Sequence, residues 1–257
     1  SAILGFVNTL HEIISKEQPT HLGVAFDHGL TFRHEAFPEY KAQREETPED
    51  IRKAVPIIKQ ILEAWNIPVL QCDGFEADDV IGTLATKAGA NGDDTYMLTP
   101  DKDYGQLVTD NVYIFRPRHG GGYEKMGVQE VCQKYDIATP LQVIDLLALM
   151  GDSSDNFPGC QGVGEKTASK LIKQFGSIDK LLSHTDEVKG KLREKIEAAV
   201  DDIKMSKFLA TIRKDVPMEL ELEKLKLAEP NEQQLTKIFE ELEFHSLLRK
   251  VLNKQNY

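Results

Sequence analysis

Three stretches decide the fold: Ile67-Pro-Val-Leu-Gln-Cys72, then Glu76-Ala-Asp-Asp-Val-Ile-Gly-Thr-Leu-Ala-Thr-Lys-Ala88, then Thr95-Tyr-Met-Leu-Thr99-Pro-Asp101-Lys-Asp103. The first is short and apolar, which reads as a buried strand. The second puts Val80, Ile81 and Leu84 on one side and opens on three acids, which reads as a helix with negative charge at its positive end. The third is a strand that ends in two acids. Strand, helix, strand in this order builds a mostly parallel sheet. Side chains at the carboxyl ends of such strands meet in one cleft.

The same alternation extends outward. Ile3 to Ile14 has helical periodicity, and His21-Leu-Gly-Val-Ala-Phe26 reads as a strand delivering Asp27. Thr47-Pro48-Glu49-Asp50 signals a helix start, with Thr47 as N-cap and Pro48 in the first turn, running to about Trp65. Val112 to Phe115 is another strand, and Gly120-Gly121-Gly122 a flexible turn. From Thr139-Pro140 onward strand signals vanish and helix follows helix. Leu141 to Met150 is apolar, and Asn231 with Gln234 forms a capping box for a helix carrying Leu235, Ile238, Phe239 and Leu242. The expectation is an α/β domain over 1–138 followed by an all-α domain over 139–257.

The chain has 257 residues and a formal net charge of -11, which at first argues against a nucleic-acid partner. Eight of its acids, however, fall in four clusters at element ends: Asp27; Glu76, Asp78 and Asp79; Asp101 and Asp103; Asp152 and Asp155. Without those eight charges the balance is -3, so local charge matters more than net charge. Two carboxylates about 4 Å apart repel by roughly 4 kcal/mol at an effective dielectric near 20. Gathered in one cleft they need protons or divalent cations. Oxygen ligands without His or Cys point to two or more Mg²⁺ or Mn²⁺ ions, and a two-metal site cutting phosphodiesters is the leading reading. Each cluster alone also fits a blander role: helix capping for Glu76–Asp79, an Asx-turn for Asp101–Asp103, a polar loop after Gly151 for Asp152–Asp155.

Cys72, Cys132 and Cys160 have no metal-site spacing, which fits reduced thiols in the cytoplasm. No membrane span and no secretory signal are visible. The chain opens at Ser1 inside a helical pattern, which reads as a fragment with a segment missing upstream.

Gly159-Cys-Gln-Gly162-Val-Gly164-Glu-Lys166-Thr167-Ala168 resembles a helix-hairpin-helix. Its glycines leave backbone N–H groups at a helix start for a phosphate, and Lys166, Lys170 and Lys173 share a helix face. Such a motif grips backbone and reads no bases. Arg33, Tyr40, Lys41 and Arg44 lie in a weakly periodic, mixed-charge stretch. They fit either a solvated surface or cations and a stacking ring for a nucleic acid.

Together, Val24-Ala-Phe-Asp27, Phe32-Arg33-His-Glu, Tyr40-Lys41-Ala-Gln-Arg44, Glu76-Ala-Asp-Asp79, Asp101-Lys-Asp103, Gly151-Asp-Ser-Ser-Asp-Asn156 and Gly162-Val-Gly-Glu-Lys-Thr-Ala168 resemble the flap endonuclease family, which includes the 5′ nuclease domain of bacterial DNA polymerase I. The resemblance covers essentially the whole chain. It implies a twisted sheet with a helical arch beside the cleft, then a helical domain with the hairpin. It implies metal-dependent hydrolysis of phosphodiesters at 5′ ends and flaps of branched or nicked duplex DNA, in replication and repair. By matching position, the eight clustered acids correspond to the metal ligands, Lys41 and Arg44 to the arch cations, and Gly159 to Gly164 to a duplex-binding hairpin that also holds K⁺. Arg33, Tyr40, Gly162, Gly164, Lys166, Thr167 and Lys170 are expected to contact DNA. The family begins with a strand carrying a further ligand, and this chain opens after it. Further expectations are a bacterial cytoplasmic setting and a polymerase domain in the same chain. The alternative activities are a non-catalytic module that holds branched DNA, and a small RNA-cutting nuclease; the helical segment counts against the latter.

Overall fold

A computed structural model describes residues 1–252. In chain order the elements are helix α1 (Ala2–Glu17), strand β1 (Val24–Ala25), α2 (Phe32–Ala36), α3 (Glu49–Ala64), β2 (Val69–Leu70), α4 (Ala77–Ala90), β3 (Thr95–Leu98), β4 (Val112–Pro117), β5 (Tyr123–Met126), α5 (Val128–Tyr135), α6 (Gln142–Met150), α7 (Glu165–Phe175), α8 (Ile178–Ser183), α9 (Gly190–Ala198), α10 (Val200–Ala210), α11 (Glu232–Glu241) and α12 (His245–Leu252). They fall into two compact units. One joins Ser1–Phe26, Glu45–Gln71 and the chain from Met218 onward; the other joins Asp27–Arg44 and Cys72–Pro217. Residue 138, where a boundary was expected, lies inside the second unit. Residues 253–257 of the expected helical segment lie outside the described residues.

In the first unit, α1 buries Val7, Leu10 and Ile14, the helical spacing seen in the sequence. It packs with α3, which buries Ala54, Ile58, Ile61 and Leu62, and α3 in turn packs with α11, whose Leu235 and Phe239 are fully buried in the same core. The Asn231 side chain accepts a hydrogen bond from the Gln234 N–H at 3.1 Å, capping α11 as expected. The start of α3 differs from expectation. Its N-cap is Pro48 with no side-chain cap, and Thr47 lies one residue outside. Pro48 pre-sets the backbone, and Glu49 and Asp50 face the helix dipole, so no hydroxyl cap is required. Strands β1 and β2 pair in parallel, Val24 opposite Val69 and Ala25 opposite Leu70, and are far shorter than the apolar runs suggested.

In the second unit, β3 runs parallel to β4, with Thr95 opposite Val112 and Leu98 opposite Phe115. β4 then turns back antiparallel into β5, Ile114 facing Met126 and Pro117 facing Tyr123. The sequence reading missed β5, because Tyr-Glu-Lys-Met alternates weakly. It did anticipate the turn: Gly120, Gly121 and Gly122 all have positive φ. Among the described residues the expected sheet is therefore two small sheets, one parallel and one mixed. The fold remains α/β followed by helices. The stretch after Phe37, where an arch was expected, is built of turns up to Arg44, and α2 before it is only five residues long. The core beneath the sheet is apolar and helical: Val143, Leu146, Leu147 and Leu149 of α6 and Ala168, Leu171, Ile172 and Phe175 of α7 are buried.

Two glycines close the loop that follows α6. At Gly151 (φ 70°) a Cβ would sit 2.7 Å from the Phe157 carbonyl oxygen, and at Gly159 (φ 59°) it would fall on the Gly151 backbone. The Gly159 N–H donates to Ser206 Oγ at 2.7 Å, fastening the loop to α10. Gly159→Ala should therefore destabilise the chain by at least about 2 kcal/mol, from the left-handed φ and the backbone overlap together. Gly5→Ala, on an open face of α1, should stabilise it by about 0.5–1 kcal/mol. Urea unfolding of the two variants against the parent checks both signs.

Candidate metal centre

All eight clustered carboxylates lie in the second unit. Strand β3 ends at Leu98, and the chain then turns so that Asp101 Oδ1 accepts from the Asp103 N–H at 2.9 Å. The Asp101 N–H in turn donates to Thr99 Oγ1 at 3.0 Å. The Asx-turn reading of this segment is thus correct as geometry, and it also aims Asp103 inward. In the loop after α6, Asp152 Oδ1 accepts from the N–H and hydroxyl of Ser154 at 2.9 and 2.7 Å. Asp103, Asp152 and Asp155 come together, each offering an oxygen within 4.8 Å of the others'. Asp103 and Asp155 are buried and Asp152 half-buried. Asp27 accepts from the Ala77 N–H at 2.8 Å, at the start of α4, and Asp78 accepts from the Tyr104 hydroxyl at 2.6 Å.

A second set of charges is organised around Arg33, which is 2% exposed. Its guanidinium forms a fork with Asp79, both N–H···O distances being 2.8 Å. It also donates to Glu76, to the Leu209 carbonyl at 2.9 Å and to the Thr211 carbonyl at 2.7 Å. Asp79 further accepts from the N–H groups of Glu76 (3.1 Å) and Arg213 (2.8 Å). Glu76 additionally takes hydrogen bonds from the Tyr40 hydroxyl (2.8 Å) and from Lys41. Arg44 reaches Asp155 and the Ser154 carbonyl, the latter at 3.2 Å.

The two sets differ in charge balance. Burial pushes the Asp103 carboxyl up, and Asp101, Asp152 and Asp155 push it further, to about 8. Burial also raises Asp78, with Glu76 and Asp101 adding and the Tyr104 hydrogen bond opposing, to about 7. Asp155 is raised by burial although Lys41 and Arg44 pull the other way. Glu76 goes down: burial would raise it, but Arg33 and Lys41 outweigh that. Asp103 Oδ1 is buried without a hydrogen-bond partner. An orphaned carboxylate oxygen among like charges, with only oxygen donors around it, fits a hard divalent cation.

The sequence-derived residues therefore separate. Asp101, Asp103, Asp152 and Asp155 form one mutually repelling group, and Asp78 feels it through Asp101. Asp79 is not presented to that group, because Arg33 and two backbone N–H groups occupy it. Arg33 and Tyr40, expected to touch DNA, are instead buried, Tyr40 lying parallel to the Phe157 ring at 6.0 Å. Gly162, Gly164, Lys166 and Lys170 are exposed around the start of α7, and Thr167 is half-buried. The sequence reading missed Tyr104, whose hydroxyl orients Asp78. Its only signal was its place directly after Asp103.

This geometry can be set beside known proteins. Residues 1–136 match the family described as 5′-3′ exonuclease, N-terminal resolvase-like domain, and residues 138–233 match 5′-3′ exonuclease, C-terminal SAM fold. The chain belongs to the 5′-3′ exonuclease family and is a nuclease. It is 44% identical over 254 residues to DNA polymerase I of Bacillus subtilis and 41% identical over 254 residues to that of Bacillus caldotenax, covering 98% of this chain and 29% of each relative. The chain thus spans less than a third of the length of these relatives. Among solved structures it resembles the bacteriophage T5 D15 flap endonuclease in a complex with DNA and metal ions (TM-score 0.68, 22% identity, 94% of this chain and 91% of that one). It also resembles the catalytic core of Rad2 with DNA substrate (TM-score 0.64, 17% identity, 97% and 85%).

Two outcomes follow. Arg33→Met removes the buried cation that pairs with Asp79 and should cost about 3–5 kcal/mol, while Arg33→Met combined with Asp79→Leu should recover most of it; urea unfolding reads both. Carboxyls with raised values hold protons in the folded state that the unfolded chain has released. Their stabilisation is fully present below about pH 4 and is lost as pH rises through the folded values of about 7 for Asp78 and about 8 for Asp103. In EDTA, Tm should fall between about pH 4 and 8 and level off above, and Asp103→Asn should flatten that fall. A parent profile already flat in thermal scans would refute the charge balance described.

Proposed function

We propose that this chain hydrolyses phosphodiester bonds at 5′ ends and flaps of branched or nicked duplex DNA, using two or more Mg²⁺ or Mn²⁺ ions. The observation that carries the reading is the convergence of Asp103, Asp152 and Asp155, with Asp103 Oδ1 unpartnered. Asp101, Asp103, Asp152 and Asp155, with Asp78 and Asp27 beside them, are the residues that would hold the ions. Bound there, divalent cations lower the pKa of a water and neutralise charge on the scissile phosphate. Asp101 and Tyr104 fix the ligands: one holds the Asp103 backbone, the other the Asp78 carboxylate. Glu76 supports this set by anchoring Lys41 and Tyr40. Lys41 and Arg44 now neutralise Glu76 and Asp155. Arg44 is half exposed, so it can exchange its carboxylate for a substrate phosphate and stabilise the charge that builds up there.

Duplex is assigned to the segment from Gly159 to Lys170, where Gly162, Gly164, Lys166, Thr167 and Lys170 offer backbone N–H groups and cations, with K⁺ as the monovalent ion of the hairpin. Residues 1–138 and 139–257 are proposed as the two modules of the nuclease, a division supported by the ranges of the two family matches. The relatives' length supports a polymerase segment in the same chain. No described helix is long and apolar enough to cross a membrane. The relatives are bacterial, which supports a bacterial cytoplasmic setting.

With a 5′-labelled flap duplex, Mg²⁺ should yield short labelled product and EDTA none. Asp103→Asn and Asp152→Asn should each lower kcat by more than about a hundredfold, beyond what outer partners of a metal site cost. Arg44→Ala should lower it about a hundredfold. Tight, salt-sensitive binding of the flap without any metal-dependent product would favour the non-catalytic module instead.

A further inference from the structure

The mixed sheet of the second unit has one face that the nuclease site does not use. Strand alternation and register put Tyr96 and Leu98 of β3, Tyr113 and Phe115 of β4, and Tyr123 and Lys125 of β5 on that face. Tyr96 and Leu98 are 49% and 45% exposed, among the most exposed large apolar side chains of the protein. The rings form a continuous ladder. Tyr96 stacks on Tyr113 at 5.3 Å, meets Phe115 edge-on at 5.8 Å, and Phe115 stacks on Tyr123 at 4.8 Å. The Lys125 ammonium lies over the ladder, 4.0 Å from the Tyr113 centroid and 5.6 Å from that of Tyr96.

Charge indicates the occupant. The hairpin beyond this face carries Arg116, Arg118 and Lys125 against a single acid, Glu124, in a chain whose net charge is -11. Arg116 and Glu124 are register partners and both alternate to the opposite face, which leaves Lys125 as the charge on this one. Asp93, Asp94 and Asp110 precede β3 and β4, at the far end of the strands from the hairpin. The hairpin tip, Gly120 to Gly122, has open space where side chains would stand, so backbone can approach a phosphate closely. A lysine seated among half-exposed rings disfavours an apolar protein partner and suits an anionic chain with flat bases.

We propose that this sheet face binds single-stranded nucleic acid, with a base stacked on Tyr96, Lys125 on the adjoining phosphate, and the Arg118–Gly122 tip along the backbone. That the strand is the unpaired arm of a branched DNA rests on the function proposed above. The test uses the full chain in EDTA and fluorescence anisotropy of a labelled oligothymidylate of about 15 nucleotides, beside a blunt duplex of equal length. Tyr96→Ala and Lys125→Glu should each weaken single-strand binding about tenfold, Tyr96→Phe should not, and duplex affinity should stay at the parent value. Lys125→Glu should also flatten the salt dependence of single-strand binding. Parent-like single-strand affinity in both Tyr96→Ala and Lys125→Glu overturns the proposal. So does an equal loss for single strand and duplex. A change of mass in light scattering with single-strand affinity intact overturns it in favour of a protein interface. Single-strand binding that depends on Tyr96 in a chain that never cuts DNA would defeat the nuclease reading and leave this one standing.

Discussion

A guanidinium at 2% exposure must find a partner for every N–H it carries, and Arg33 does so with Asp79, Glu76 and two backbone carbonyls. Bringing an ion out of water costs several kcal/mol even after relaxation, so an arrangement of this kind survives only when geometry and hydrogen bonding are nearly complete. Satisfying Arg33 fixes much else. It ties the segment after Asp27 to the first turn of α4 and to the end of α10. It also holds Glu76 where Tyr40 and Lys41 can reach it. The acids at the start of α4 are thereby divided: Asp79 turns inward to the arginine, while Asp78 turns toward Tyr104 and the remaining carboxylates.

That division separates charge that is already compensated from charge that is not. Asp79 and Glu76 meet protein donors on both oxygens, and the pull of Arg33 and Lys41 keeps Glu76 ionised despite burial. Asp103 meets none of this at Oδ1 and is pressed by three further carboxylates, so its charged form is disfavoured. A fold that only needed caps and turns would relieve such repulsion with a lysine or an amide. Here the Asx-turn at Asp101 and the loop closed by Gly151 and Gly159 push the acids together. The same local devices that a structural reading assigns to these residues are what concentrate the charge.

The sequence carried the main outline because its signals were local and repeated. Helical spacing in α1, α6 and α7, the cap at Asn231 and the acids at strand ends all depend on neighbours in the chain. What it did not carry depends on contacts distant in sequence. Arg33 and Tyr40 sit in a stretch with interleaved Glu35, Glu39, Glu45 and Glu46, a composition that reads as surface. Their burial follows from Asp79, Glu76 and Phe157, which lie far along the chain. Asp79 was grouped with the metal ligands for the same reason, since its partner is not visible at helical spacing. Strand β5 lacked alternation, and Thr47 looked like a cap because residue type does not distinguish Pro48 as first helical residue from Pro48 as the cap itself.

Net charge was the poorest guide of all. At -11 the chain has the balance of a protein that avoids nucleic acid. Yet its negative charge is partly confined to a group that repels itself, while cations stand elsewhere in the same unit: Lys166 and Lys170 on α7, Arg116, Arg118 and Lys125 on the β4–β5 hairpin. At physiological ionic strength interactions beyond about 8 Å are largely screened, so a phosphate responds to the nearest few charges and not to the sum. Acids placed to hold cations also cease to act as acids toward a phosphate once those cations are bound. An acidic chain can therefore present a cationic route to a polyanion. The requirement is that carboxylates near a phosphate be buried or paired: Glu76 and Asp155 are paired with Lys41 and Arg44, and Asp79 is buried with Arg33.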